Sequence, residues 1–253
     1  MKKAKKIVAL LLCAVLLVGA SIAGTLAYLT FRTDEVKNTF TIGKVEIKLD
    51  EAVVDKETGV ATTERTEKGN ADVRMIPGRT IDKDPTVTVL KDSEDCYVRV
   101  KVTVDLPNWT PDAAKLAGWK TDEEDFADAF RNWAGNFAGN YLRTGIMAGF
   151  NTENWELAKT DINSDNKTIT YILYYEDIPN YNIVRKSTSN TKLPAVFDKV
   201  VAPKTLTKDQ LALLEGMEIK VVAHAIQAEG FTETETEDVT VPAEQNAWMA
   251  FDG

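Results

Sequence analysis

The chain has 253 residues, with 30 Lys and Arg against 39 Asp and Glu, one His, two Cys and a formal net charge of −9. So acidic a composition argues against nucleic-acid binding and against electrostatic docking on anionic lipid. Two cysteines are too few for a disulfide scaffold, whereas 44% apolar residues suffice for a full core.

Lys2, Lys3, Lys5 and Lys6 precede an uncharged run over residues 7–31. Its densest part, residues 7–18, has the length of a signal-peptide hydrophobic region rather than of a membrane span. Small residues follow: Gly19, Ala20, Ser21, Ala23, Gly24, Thr25 and Ala27. A signal peptidase needs small side chains at −1 and −3, and both Ser21-Ile22-Ala23 and Thr25-Leu26-Ala27 qualify. The favoured reading is a signal peptide over residues 1–27, cut between Ala27 and Tyr28. An uncleaved anchor is the alternative, because the whole run is long enough to cross roughly 30 Å of hydrocarbon. Cleavage would remove Cys13 and four lysines, leaving 26 basic against 39 acidic residues, a net charge of −13.

Phe40 and Ile42, and after Gly43 also Val45, Ile47 and Leu49, alternate with Thr and charged residues. This is the period-2 signature of a half-buried strand with a bulge at the glycine. Residues 51–74 are polar and read as an exposed loop or hairpin. Pro77-Gly78 marks a tight turn, and residues 86–90 and 97–104 read as strands separated by Asp92-Ser93-Glu94-Asp95. In the second strand Val98, Val100, Val102 and Val104 form one face, opposite Arg99, Lys101 and Thr103. Cys96, just ahead of it, reads as a small buried hydrophobe.

From Pro107 the pattern turns helical. Thr121-Asp122-Glu123-Glu124 forms a capping box, and Phe126, Ala129, Phe130 and Trp133 share one helical face, which reads as core packing, with a carbohydrate platform as alternative. Residues 135–149 carry four glycines and read as a loop. Strand patterns return at 155–158 and 168–175, linked by Asp161-Ile162-Asn163-Ser164-Asp165-Asn166-Lys167. Oxygens at alternate positions invite a calcium-loop reading, but Asn166 stands where a glycine is needed and Ile172 where a bidentate Glu is needed. A hairpin turn is expected instead. Thr207-Lys208-Asp209-Gln210 is a second capping box, opening a helix that ends at Gly216. The strand at 218–228 is expected to be buried on both faces, and residues 242–251, with Trp248 and Phe251, to form a short docking helix. The last residues contain no LPxTG-type motif, so covalent wall anchoring is not expected.

Gly24-Thr25-Leu26-Ala27-Tyr28-Leu29-Thr30, followed by Asn38-Thr39-Phe40-Thr41-Ile42-Gly43, resembles the start of the TasA/camelysin family of exported Gram-positive proteins. Ile76-Pro77-Gly78-Arg79-Thr80-Ile81-Asp82-Lys83 with Tyr97-Val98-Arg99-Val100-Lys101-Val102 resembles a turn and strand of the same family, although Arg79 stands where an acidic residue is commoner. The run Val221-Val222-Ala223-His224-Ala225-Ile226-Gln227-Ala228 is similar to its late strand. Residues 106–204 match nothing specific and read as a helical and loop-containing insert.

The resemblance implies a mainly β fold, a jelly-roll-like antiparallel β-sandwich with short helical insertions, in one secreted domain over residues 28–253. It implies a structural protein of the extracellular or biofilm matrix, cut by a SipW-type signal peptidase. It also implies fibres built by donor-strand exchange, in which residues 28–49 pair with the next subunit and Phe40, Ile42, Val45, Ile47 and Leu49 fill alternate pockets. The implied partners are further copies of the chain in a head-to-tail homopolymer, the peptidase and a minor anchoring subunit. Residues 39–49 as the first strand of a self-contained monomer are the plainer alternative.

Two other function classes stay open. One is a monomeric adhesin or binding module; the other is a metallopeptidase, a label the family carries through camelysin. His224 is the only histidine and there is no HExxH, so a site of two helical histidines and a Glu cannot be built. No G-x-S-x-G positions a serine beside it. Neither a catalytic residue, a metal ligand nor a cofactor is assigned, and the chain is read as a non-enzyme.

Overall fold

The computed structural model describes residues 43–110, 147–148, 150–202, 204, 206–235 and 240–252. The expected cleavage residues Ala27 and Tyr28, the strand residues Phe40 and Ile42, and the aromatic helical face from Phe126 to Trp133 lie outside them.

Alternating apolar and polar residues make strands here, and turn residues end them. In chain order the strands are β1 (Ile47–Val54), β2 (Ala61–Thr66), β3 (Thr80–Asp82), β4 (Thr86–Val89), β5 (Cys96–Asp105), β6 (Met147–Ala148), β7 (Trp155–Asn163), β8 (Thr168–Tyr175), β9 (Thr191–Lys192), β10 (Lys199–Val201), β11 (Glu218–Gln227), β12 (Thr234–Glu235) and β13 (Thr240–Val241). Two α-helices are described, α1 (Lys208–Leu213) and α2 (Ala243–Asp252). The sheets run β2-β1-β4-β9, β3-β10-β6, β11-β5-β8-β7 and β12-β13, with every described pairing antiparallel.

The fold is mainly β and is a β-sandwich. Val98, Val100, Val102 and Val104 of β5 meet Val87 and Val89 of β4 and Val200 of β10 in one core that also takes Trp109, Trp155 and Phe197. Burying each valine contributes about 1.5–3 kcal/mol. Trp155 seats its ring edge-on against Tyr175 at 5.5 Å and donates from Nε1 to the Pro194 carbonyl at 3.0 Å, so its one polar atom is satisfied.

The turns follow from their residues. Gly78 has φ of +80°, and Arg79 N–H donates to the Ile76 carbonyl at 2.9 Å, as a Pro-Gly turn requires. The polar stretch after β1 is a hairpin into β2. Residues 161–167 close the β7–β8 hairpin, where Asn163 Oδ1 accepts from Asn166 N–H at 2.9 Å. At α1 both halves of the capping box form: Thr207 Oγ1 accepts from Gln210 N–H, and Gln210 Oε1 accepts from Thr207 N–H.

One expectation changes. The strand at 218–227 is not buried on both faces: Ile219, Val221, Ala223 and Ala225 meet the core, while Val222 is half exposed. β11 is an edge strand, and α2 meets its outer face only near His224 and Ile226. Residues 106–204 supply β6 to β10, so their described part is built into the sheets.

Candidate functional site

The long sheet β11-β5-β8-β7 has two edges of different character. At β7 the register slips between Leu157 and Lys159, and exposed Glu156, Lys159 and Asp161 stand along the strand. A bulge and charges of this kind protect an edge from pairing. At the opposite edge β11 pairs with β5 without interruption over ten residues, Glu218 with Asp105 through Gln227 with Cys96. On its other side it has no strand partner among the described residues, which leaves every second N–H and C=O of the strand directed outward.

That edge borders a cleft. Leu49, Asp50 and Glu51 of β1 face Ile219, Lys220 and Val221 of β11 across a space of about 260 Å³, with Pro85 beside them. It shares Glu51, Lys68, Gly69, Lys83, Ile219 and Lys220 with a larger cleft of about 910 Å³, walled by residues 68–75 and by α1.

Charged side chains along the β1 wall are tied to one another. Arg65 donates to Asp50 Oδ1 at 2.5 Å and to Asp84 Oδ2 at 2.6 Å. Lys83 pairs with the buried Glu51 carboxylate, which also accepts from Asn70 Nδ2 at 2.9 Å. Lys220 is held by Asp105 and Glu218, both at 3.0 Å. With these charges neutralised in place, the cleft offers backbone polar groups and alternate apolar positions. That combination suits an extended strand.

Of the residues read as a donor strand, the structure describes Val45, Ile47 and Leu49, and packs all three against the core. Ile47 and Leu49 lie in β1 opposite Val89 and Val87 of β4. The segment ahead of β1 is tied down as well: Leu90 N–H donates to the Glu46 carbonyl, Glu94 N–H to that of Lys44, and Glu46 N–H to Ser93 Oγ at 3.1 Å. From Lys44 onward the chain is therefore bonded into its own domain.

The outer face of the sheet carries a polar cluster that single residues did not announce. Arg99 of β5 is 1% exposed and donates twice to Asp252 at the end of α2, at 2.6 and 2.5 Å. Its guanidinium lies 4.6 Å from the Trp248 ring centre and 5.0 Å from that of Phe251. These hydrogen bonds hold the Asp252 carboxyl down at about 2. His224 packs against Phe251 with ring centres 5.2 Å apart and the rings tilted by 51°, and it accepts from Arg99 Nε at 3.4 Å. Burial and then the Arg99 and Lys101 charges push its pKa down. Among the described residues no serine is bonded to it, and its ring nitrogen faces a cation, an arrangement that clamps α2 rather than activating a nucleophile.

At the start of α2 the buried Glu244 accepts from Asn182 Nδ2 at 2.9 Å, and burial pushes its pKa up to about 7. Cys96 is fully buried, with burial raising its thiol to about 12. Among the described residues no group of three or more His, Cys, Asp or Glu is placed to hold a metal ion, and no helix is long and apolar enough to cross a membrane. No family model matches the chain, and neither a curated protein nor a solved structure matches it.

Proposed function

We propose that this chain is a secreted structural protein of an extracellular or biofilm matrix, which assembles into fibres by exchange of its N-terminal segment. The observation that supports this best is the ten-residue β11 edge, bordered at Ile219 to Val221 by a cleft of mixed polar and apolar lining, on a sheet whose other edge is bulged and charged. A strand entering from another copy would gain main-chain hydrogen bonds along β11 and side-chain pockets at Ile219 and Val221. Because the giving segment and the receiving edge are different surfaces, the contact is head-to-tail and builds a filament when the rotation from copy to copy does not close a ring.

Val45, Ile47 and Leu49 belong to the receiving body in this reading, since residues 44–50 are bonded to β4 and to the turn after it. The exchanged segment is then residues 28–42, with Phe40 and Ile42 as its apolar side chains. A leader still attached would tether that segment, so cleavage after Ala27 by a SipW-type peptidase would license assembly. A minor anchoring subunit would hold the fibre at the cell surface.

The test is electron microscopy with light scattering on protein beginning at Tyr28, beside protein that keeps several residues ahead of it. Filaments from the first and monomers from the second are expected. Normal filaments from protein lacking residues 28–42 would sink the idea. Monomers from both, with a compact fold, would move the assignment to a secreted binding module.

A further inference from the structure

One buried carboxylate joins an amine to a carboxamide. Glu51 of β1 takes Lys83 Nζ on Oε2 and Asn70 Nδ2 on Oε1, the second at 2.9 Å. The Glu51 side chain is 7% exposed and that of Lys83 15%, so bulk water is largely kept from the pair. Among the described residues no other carboxylate accepts from a lysine amine and an asparagine amide together. Asn180 on Asp177 and Asn182 on Glu244 have no lysine bonded to the same group.

The Asn70 carboxamide is held at both ends. Its Oδ1 accepts from Val54 N–H at 2.9 Å, and its Nδ2 also donates to the Ala52 carbonyl at 2.8 Å. A donor on one side and an acceptor on the other fix which atom is oxygen and which is nitrogen. Asn70 N–H donates to Glu51 Oε1 at 3.1 Å, and Lys83 N–H to the Asp198 carbonyl at 2.9 Å, so both backbones are anchored as well. These are the parts of an acyl transfer: an amine, a carboxylate that reaches both nitrogens, and a carbonyl whose oxygen already faces a fixed N–H.

We propose that Lys83 and Asn70 join in an isopeptide bond formed within the folded chain, with Glu51 carrying the protons. Glu51 takes a proton from the Lys83 ammonium, and the free amine adds to Asn70 Cγ. Negative charge gathers on Oδ1, where Val54 N–H stabilises it. A second Nζ proton passes through Glu51 to Nδ2, the Cγ–Nδ2 bond breaks, and ammonia leaves by the cleft of about 910 Å³ that Glu51, Asn70 and Lys83 all line. The first proton stays on Glu51, so no charge is left buried without a partner beside the new amide. No oxidant or co-reactant is needed, because a primary amide and an amine become a secondary amide and ammonia. The bond closes a loop over residues 70–83 that contains β3, and ties the chain after β2 to the approach to β4. A cross-link of this kind restricts the unfolded chain, as a disulfide does. It lies within one copy, so it goes beyond strand exchange and forms in monomer and filament alike.

The test is intact-mass spectrometry on protein beginning at Tyr28, incubated folded at neutral pH and then denatured. The mass should fall short of that of the sequence by one ammonia, about 17 Da. A tryptic map should show residues 69–74 joined to residues 80–91, with no cut after Lys83. Lys83→Arg, which keeps the ion pair but offers no amine, and Glu51→Gln should both show the full mass, with circular dichroism checking that each folds. A parent at full mass would overturn the proposal and leave the cluster a structural ion pair. So would an ammonia loss that leaves the two peptides separate or persists in Lys83→Arg, as a backbone succinimide at Asn70 would. The parent's mass and map need no variant, so they decide the matter even where a variant does not fold.

Discussion

At the scale of single residues, Glu244 is the group whose chemistry departs furthest from its ordinary state while remaining testable near neutral pH. Burial dominates its upward shift to about 7, and the Asn182 and Trp248 donors do not offset it. A raised carboxyl pKa means that between its ordinary value near 4.5 and about 7 the folded chain keeps a proton the unfolded chain has lost, so stability falls as pH rises through that window. Melting temperatures from pH 4.5 to 7.5 should fall more steeply for the parent than for Glu244→Gln, and equal slopes would remove the carboxylate from the account. Cys96 gives a second prediction. Fully buried, with its thiol raised to about 12, it should ignore a thiol reagent in the native protein and react at once in denaturant. Rapid labelling of the native state would contradict that. Cys96 as a buried hydrophobe was legible in the sequence from the apolar strand beside it. The Arg99 clamp was not, because Arg99 and Asp252 are 153 positions apart and meet only when α2 folds over the sheet.

At the scale of elements, strong local signals translate directly into structure. β5 follows from four alternating valines, the Pro77-Gly78 turn from the positive φ that glycine permits, and α1 from a capping box whose two hydrogen bonds both form. α1 has only six residues, too few to persist on propensity alone. Replacing the cap, Thr207→Ala, should therefore cost about 0.5–2 kcal/mol. The loss should appear as faster amide exchange across α1 and as a lower melting temperature, whereas unchanged exchange there would show that packing alone holds the helix. β3, β9 and β10 were not read from the sequence. They are two or three residues long, below the length at which alternation is distinguishable from chance, and exist because neighbouring strands supply their hydrogen bonds.

At the scale of the whole molecule, charge opposes self-association. The full chain carries a formal −9, and removal of the leader would make it −13. Copies joined head to tail would repel one another across any contact, and salt screens that repulsion because the Debye length shrinks from about 30 Å at 0.01 M to about 8 Å at 0.15 M. Assembly should therefore be faster and tighter at 0.15 M salt than at 0.01 M when followed by light scattering. Stronger assembly at low salt would point to attractive charge pairs between subunits. The same acidity makes the β1 wall of the cleft depend on internal pairing: Arg65 and Lys83 each neutralise carboxylates that would otherwise crowd the edge of the sheet.

The sequence by itself determined the long strands β5, β8 and β11, the Pro77-Gly78 turn and the start of α1, and that the fold is mainly β, because alternation, glycine and caps act over a few residues. It also determined the apolar faces of β1 and β5, since a period of two fixes which side chains share a side. Only the tertiary structure decided which strand ends a sheet. β11 reads as buried from its run of small and branched residues, yet sheet order leaves one of its edges without a partner among the described residues, and order depends on pairings more than a hundred positions apart. Likewise only the fold set Asn70 and Lys83 on the two oxygens of Glu51, from which they lie 19 and 32 positions away in the chain. Position along a strand becomes position in space once its partners are chosen, and the choice of partners belongs to the core as a whole.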